Sequence, residues 1–274
     1  MKRALVTLVI GDKYIQRFKK YCTANWKEYA DKYNYDVVVI DNYIDVSCKA
    51  KNRSPSWQKC LILQHEKVKE YDQVIWIDSD VVINYKNAPD ISEGVPLEMV
   101  GAVDQYSILG RNIYLAMLKR CYAEWEKQNI NFIKNLYPGD YHKVYGLEQD
   151  LNYVIQTGVM VLSPKYHNEI MLQVYDKYDD KGGPEWNYEM RPLSYELQLN
   201  FDIKWLDYRF NFVWPVFQQF AYPFLRYNMF QKVMEKLGIQ YFSKDIEKFV
   251  NTAFDNSYFL HFAGSQDFIK YVID

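Results

Sequence analysis

The stretch Val74-Ile75-Trp76-Ile77-Asp78-Ser79-Asp80-Val81-Val82-Ile83 decides the reading of this chain. Its first four residues are all apolar and leave no polar face, as expected of a strand covered on both sides in a parallel sheet. Asp78 and Asp80 follow where the chain leaves that strand, and a second short apolar run follows them. An aspartate after a strand often does no more than cap the next turn. Two carboxylates held between two apolar runs instead point into a presumed cleft, the arrangement that a metal-assisted reaction on a phosphorylated substrate requires. Hard divalent cations such as Mg²⁺ or Mn²⁺ prefer carboxylate oxygen, and one or two carboxylates plus substrate phosphates is their usual shell.

On either side of this stretch, strand and helix alternate. Residues 4–10 read as a first strand, and Ile15, Phe18, Cys22, Trp26 and Tyr29 fall at helical spacing after it. Residues 37–40 form a second strand. Residues 57–71 read as a second helix with Leu61, Leu63, Val68 and Tyr71 facing inward, and the third strand then delivers the aspartates. This βαβαβ order predicts a parallel sheet with right-handed crossovers and ligands at the carboxyl ends of its strands. Further strands are expected at 95–103, 157–163, 203–206 and 258–262, with helices at 111–128 and from Pro164 through Tyr178. Residues 129–146 are irregular, and the segment 181–184, Lys-Gly-Gly-Pro, is the clearest loop.

The chain has 274 residues, a length compatible with one large α/β domain, and no repeat or low-complexity segment. With 49% hydrophobic residues it can build a core, and 25% charged residues without a block of one sign argue against disorder. A formal charge of −2 offers no basic face for nucleic acid or an anionic membrane. The apolar run after Met1-Lys2-Arg3 is too short for a signal peptide and lacks a small-residue cleavage site. No apolar stretch approaches the roughly 18 residues needed to span a bilayer. Cys22, Cys48, Cys60 and Cys121 form no Cys-x-x-Cys pattern and read as reduced thiols, so the expected location is cytoplasmic. The oligomeric state is left open.

With the Asp pair placed after the third strand, later segments fall into a recognisable order. Residues 6–10 (Val-Thr-Leu-Val-Ile), Trp57-Gln58-Lys59, Asp78-Ser79-Asp80 and residues 157–164 (Thr-Gly-Val-Met-Val-Leu-Ser-Pro) come first. Residues 189–194 (Glu-Met-Arg-Pro-Leu-Ser) and His261-Phe262-Ala263-Gly264 follow. Together they resemble the GT-A fold glycosyltransferases, especially the glycogenin-like family and the galactomannan galactosyltransferase and xyloglucan xylosyltransferase family. The resemblance implies a Rossmann-like, mainly parallel twisted α/β sheet with helices on both faces and a smaller C-terminal elaboration. It implies one domain over 1–274, with a nucleotide-sugar-binding half at 1–104 and an acceptor-side half at 105–274 that carries a late metal ligand. The partners it implies are a nucleotide-diphosphate sugar, expected to be a UDP-sugar, and a glycan or other hydroxyl acceptor.

The resemblance also assigns residues. Asp80 and His261 would hold a divalent metal with Asp78, which also contacts ribose or donor sugar. An imidazole beside carboxylates favours Mn²⁺ over Mg²⁺. Thr7, Val9, Ile10, Tyr14, Lys59, Ser79 and Gly264 would contact the nucleotide, again with Asp78. Glu189 would serve as the catalytic acidic residue beside the reacting sugar, with Asp78 sharing that catalytic role. Two departures stand out. Met190 replaces the glutamine usual after the acidic residue, and Asp267 stands where glycogenin-like enzymes carry a diphosphate-binding lysine, with Lys270 further along. Glu148-Gln149-Asp150 is a second acidic cluster, ranked below Glu189 because it precedes the 157–163 strand.

Aromatic residues from Phe210 to Tyr227 read either as core or as an acceptor groove. Two rival functions compete. A haloacid-dehalogenase-class phosphatase would use Asp78 as a nucleophile, but that nucleophile normally lies on the first strand, whereas here a complete βαβα unit precedes it. An inactive carbohydrate-binding protein on the same fold would not need Asp78, Asp80 and His261 together.

Overall fold

The computed structural model describes residues 1–127, 129, 136–143, 146–180, 188–225, 233, 236–237 and 243–272. Strands β1 (Arg3–Leu8), β2 (Asp36–Ile40), β3 (Gln73–Ile77), β5 (Val100–Asp104), β6 (Ile155–Leu162) and β7 (Ile203–Trp205) form one sheet in the order β2-β1-β3-β6-β5-β7. A small second sheet joins β4 (Val81–Ile83), β9 (Phe259–His261) and β8 (Phe212–Val213). The α-helices among the described residues include α1 (Asp12–Tyr21), α2 (Thr23–Tyr33), α3 (Cys48–Lys51), α4 (Arg111–Lys127), α5 (Pro138–Lys143), α6 (Pro164–Lys177), α7 (Met190–Asn200), α8 (Trp214–Ala221) and α9 (Ser243–Asp255). No helix among the described residues is long and apolar enough to cross a membrane.

The main sheet is mixed, not wholly parallel. β1 pairs in parallel with β2 and β3, but β6 runs antiparallel to both β3 and β5. An apolar strand buried on both faces reads alike in either direction, so the run at 157–163 carries no sign of its polarity. Other boundaries shift for similar reasons. The expected first helix is two, α1 and α2, meeting at Cys22. The expected helix at 57–71 is a 3₁₀ helix over Pro55–Gln64, whose residues 57–63 are all buried and so present no amphipathic stripe. The strand expected at 95–103 is β5 alone, with turns before it. The loop at 181–184 lies outside the described residues.

Period-two alternation along the central strands divides the core into two layers. Leu5, Ile75, Ile77, Val159 and Val161 pack on one side of the sheet with Trp26 and Tyr29 of α2. Ala4, Val6, Val74, Trp76, Met160 and Leu162 face the other side, against Trp57, Ile62 and α6 residues Met171 and Val174. The α2 helix also seals the edge of β4. Asn25 Nδ2 donates to the Ile83 carbonyl at 2.6 Å and its Oδ1 accepts from the Ile83 N–H at 2.7 Å, while Trp26 Nε1 donates to the Val81 carbonyl at 2.9 Å. An open strand edge is thereby fully engaged by side chains, and β4 is held where Asp78 and Asp80 leave β3.

Candidate active site and metal centre

The small sheet assembles the site. β4 begins directly after Asp80, and its Val81 pairs with His261 of antiparallel β9, while Val213 of β8 pairs with His261 from the other side. The Phe262 N–H donates to the Asp80 carbonyl at 3.0 Å. Asp78, Asp80 and His261 consequently offer ligand atoms that all lie within 4.8 Å of one another. His261 Nε2 is 3.7 Å from Asp78 Oδ2 and 3.3 Å from Asp80 Oδ1. Gly158 of β6 makes room for the ring: a Cβ there would lie 2.4 Å from His261 Cε1 and 2.7 Å from Nδ1. Its carbonyl accepts from the Asp78 N–H at 2.8 Å.

The imidazole is oriented from behind. His261 Nδ1 lies 2.8 Å from Oδ1 of the buried Asn211, whose own Nδ2 donates to the Gln156 carbonyl at 3.2 Å. With the Asn211 amide so oriented, Nδ1–H is the donor, and in the neutral ring it is Nε2 that turns its lone pair toward the two carboxylates. One nitrogen and two carboxylates then face a common point, a donor set suited to Mn²⁺ or Mg²⁺.

A buried ion-pair group lies beside it. Lys59 Nζ is 3.1 Å from Asp78 Oδ1 and 2.8 Å from Glu189 Oε1, and Thr157 Oγ1 donates to the same Glu189 oxygen at 3.3 Å. Trp76 Nε1 donates to Asp78 Oδ1 at 2.9 Å. Glu189 stands at the start of α7 without a capping side-chain bond and is buried, so its charge reaches the cluster through Lys59. Asp78 keeps 28% of its side chain exposed and Asp80 11%. Three carboxylates against one lysine leave a charge of −2, which one divalent ion would balance.

Burial and charge pull these groups in opposite directions. Burial disfavours charge on His261, but Asp80 and Asp78 outweigh it and raise the ring's pKa. Burial likewise opposes the Asp80 carboxylate, yet His261 and Gln266 hold its pKa below the usual range. At Asp78 burial prevails over Lys59 and His261, and the pKa is raised. Burial also opposes the Lys59 ammonium, but Asp78 and Glu189 keep it charged.

The remaining expected residues lie as follows. Thr7 and Val9 are buried at the carboxyl end of β1, next to β3, and the Thr7 hydroxyl has no protein partner. Ile10 and Ser79 are half-buried, Tyr14 is an exposed residue of α1, and Gly264 is exposed with φ 67°, in the turn that follows β9. Glu148 and Asp150 are exposed. Phe210, Phe212 and Trp214 belong to the core, and Tyr227 lies outside the described residues.

No family sequence model and no curated protein matches the chain by sequence. Solved structures do match by fold. A glycosyltransferase involved in the glycosylation of the major capsid of PBCV-1 superposes over 99% of this chain and 100% of its own, with a TM-score of 0.53 at 14% identity. The apo structure of the bifunctional glycosyltransferase WbbM matches over 98% of this chain and 49% of its own, with a TM-score of 0.51 at 16% identity. The fold is that of the GT-A glycosyltransferases.

Within this GT-A fold, sequence reasoning missed three polar residues. Asn211 was hidden in the run Phe210-Asn211-Phe212-Val213-Trp214; a lone amide between core aromatics must find a buried partner, and that was its signal. Gln266, which donates from Nε2 to Asp80 Oδ2 at 3.2 Å, and Arg17, which bonds to Gln266 and Asp267, carry no local pattern.

The pKa directions predict a peaked stability profile without metal. His261 binds its proton more tightly when folded, so that contribution is complete below the ordinary value of 6.5 and is lost as pH rises through the higher folded value. Buried His142 and His167 run the other way, lowered to about 4, so they cost stability at low pH and recover it as pH rises toward 6.5. In EDTA the melting temperature should climb to about pH 6.5 and then fall. The falling limb should vanish in His261→Gln; a wild-type profile that is flat above the maximum contradicts this.

Proposed function

We propose that the chain is a metal-dependent, configuration-retaining glycosyltransferase that moves a sugar from a nucleotide-diphosphate donor, a UDP-sugar, to a glycan or other hydroxyl acceptor. One observation carries the reading: Asp78, Asp80 and His261 converge within 4.8 Å at the carboxyl end of β3, with His261 oriented by Asn211. The fold likeness, which covers nearly the whole chain, supports it.

In this reading Asp80, Asp78 and the Nε2 of His261 would hold the ion, while Asp78 also keeps its ion pair with Lys59. A bound Mn²⁺ or Mg²⁺ would supply Lewis-acid stabilisation of the departing diphosphate. Thr7, Val9, Ile10 and Tyr14 border the nucleotide, and Ser79 and Gly264 border the ribose and diphosphate. Thr7 brings an unpaired hydroxyl to that task. Glu189, through its charge beside Lys59 and Asp78, stabilises positive charge developing at the anomeric carbon. A diphosphate oxygen on the same face accepts the proton of the attacking hydroxyl, which accounts for retention. The phosphatase reading fares worse, because Asp78 follows the third strand of the chain and not the first.

Activity should require a divalent ion, and Asp80→Asn should reduce turnover by about a thousandfold or more, a loss of roughly 4 kcal/mol in transition-state stabilisation. Donor hydrolysis measured with Mn²⁺, with EDTA and with the variant checks this; full turnover in excess EDTA contradicts it. Glu189→Gln should lower turnover while leaving Mn²⁺-dependent UDP affinity near wild type, because the lost interaction belongs to the transition state. Calorimetric loss of UDP binding in that variant would assign the carboxylate to the nucleotide site or the fold instead.

A further inference from the structure

A sugar nucleotide brings charge that the acidic cluster cannot absorb unaided. The −2 of Asp78, Asp80, Glu189 and Lys59 is balanced by one divalent ion, and a diphosphate then adds further negative charge. Lys59 is not available for it. Both carboxylates it serves lie within 3.1 Å, and it is buried, so turning toward a phosphate would strand a buried anion.

Arg17 stands differently. It projects from α1, the helix that follows β1, and 15% of its side chain is exposed. Its guanidinium donates to Gln266 Oε1 and, at 2.9 Å, to Asp267 Oδ1. Gln266 in turn donates to Asp80 Oδ2 at 3.2 Å, so a single residue separates Arg17 from a proposed metal ligand. The turn at Gly264, where the Ser265 N–H donates to the Phe262 carbonyl at 2.6 Å, brings Gln266 and Asp267 back beside β4. The ionic partner of Arg17 is weakly committed: Asp267 is 86% exposed, and an ion pair to so exposed a carboxylate contributes little and is readily exchanged. A guanidinium offers a planar fork of donors that matches two phosphate oxygens.

We propose that Arg17 is the diphosphate-binding cation of this site, exchanging Asp267 for phosphate oxygens of the sugar nucleotide while Gln266 keeps it aligned with Asp80. This rests on the transferase reading given above. It also assigns Asp267 a role, as the placeholder that neutralises Arg17 until the nucleotide arrives.

Calorimetry on the full chain with Mn²⁺ tests it, using UDP, inorganic pyrophosphate and uridine as probes. Arg17→Gln should weaken UDP and pyrophosphate by about tenfold or more, the worth of one charge-assisted pair, and leave uridine and Mn²⁺ alone unchanged. Arg17→Lys should recover part of the loss, and Asp267→Asn should tighten UDP by removing the competing carboxylate. Unchanged UDP affinity in Arg17→Gln would overturn the proposal. So would a loss of Mn²⁺ binding in step with UDP, because Arg17 would then act on Asp80 through Gln266. Failure of the wild type to bind either UDP or pyrophosphate with Mn²⁺ would instead sink the transferase reading, and this inference with it.

Discussion

The antiparallel pairing of β4 with β9 is the constraint on which the site depends. Asp78 and Asp80 leave a strand near the start of the chain and His261 lies near its end, and only the Val81 to His261 register makes them neighbours. That register is itself defended. Asn25 and Trp26 occupy the outer edge of β4, and β8 closes the other side of β9. A one-residue slip would turn His261 away from the carboxylates and its apolar neighbours out of the core, so one pairing fixes packing and chemistry together.

Electrostatics explains why so polar a cluster persists beside a core. Lys59 is enclosed by Asp78 and Glu189, and removing the lysine would leave both carboxylates without their counter-ion. A proton on His261 lowers the remaining −2 to −1, and a divalent ion in its place would balance it in full. On the proposed function, metal and proton would compete for the same nitrogen, and metal affinity should rise with pH as that proton is released. Asn211 makes the exchange clean, because its carbonyl holds Nδ1–H in either state.

Much of this was legible in the sequence, for identifiable reasons. An unbroken apolar run reads as a central strand in any context, and so the Asp pair could be placed at a strand end before its surroundings were known. His261 came from the resemblance of His261-Phe262-Ala263-Gly264 to a family motif and not from its own pattern. What stayed hidden depends on distant partners. The direction of β6 is set by neighbours and not by composition. Lys59 entered the site through the resemblance, as a nucleotide contact, and only the position of Glu189, 130 residues later, makes it a buried counter-ion. Arg17 and Gln266 are 249 residues apart, and no local periodicity reports such a contact.

On the proposed function, Asp78, Asp80 and His261 would bind one divalent ion together. Pulsed electron paramagnetic resonance of the wild-type chain loaded with Mn²⁺ and UDP tests it directly. The expected result is a ¹⁴N coupling from one directly bound imidazole, absent in His261→Ala. Bound Mn²⁺ with no nitrogen coupling in the wild type would contradict it.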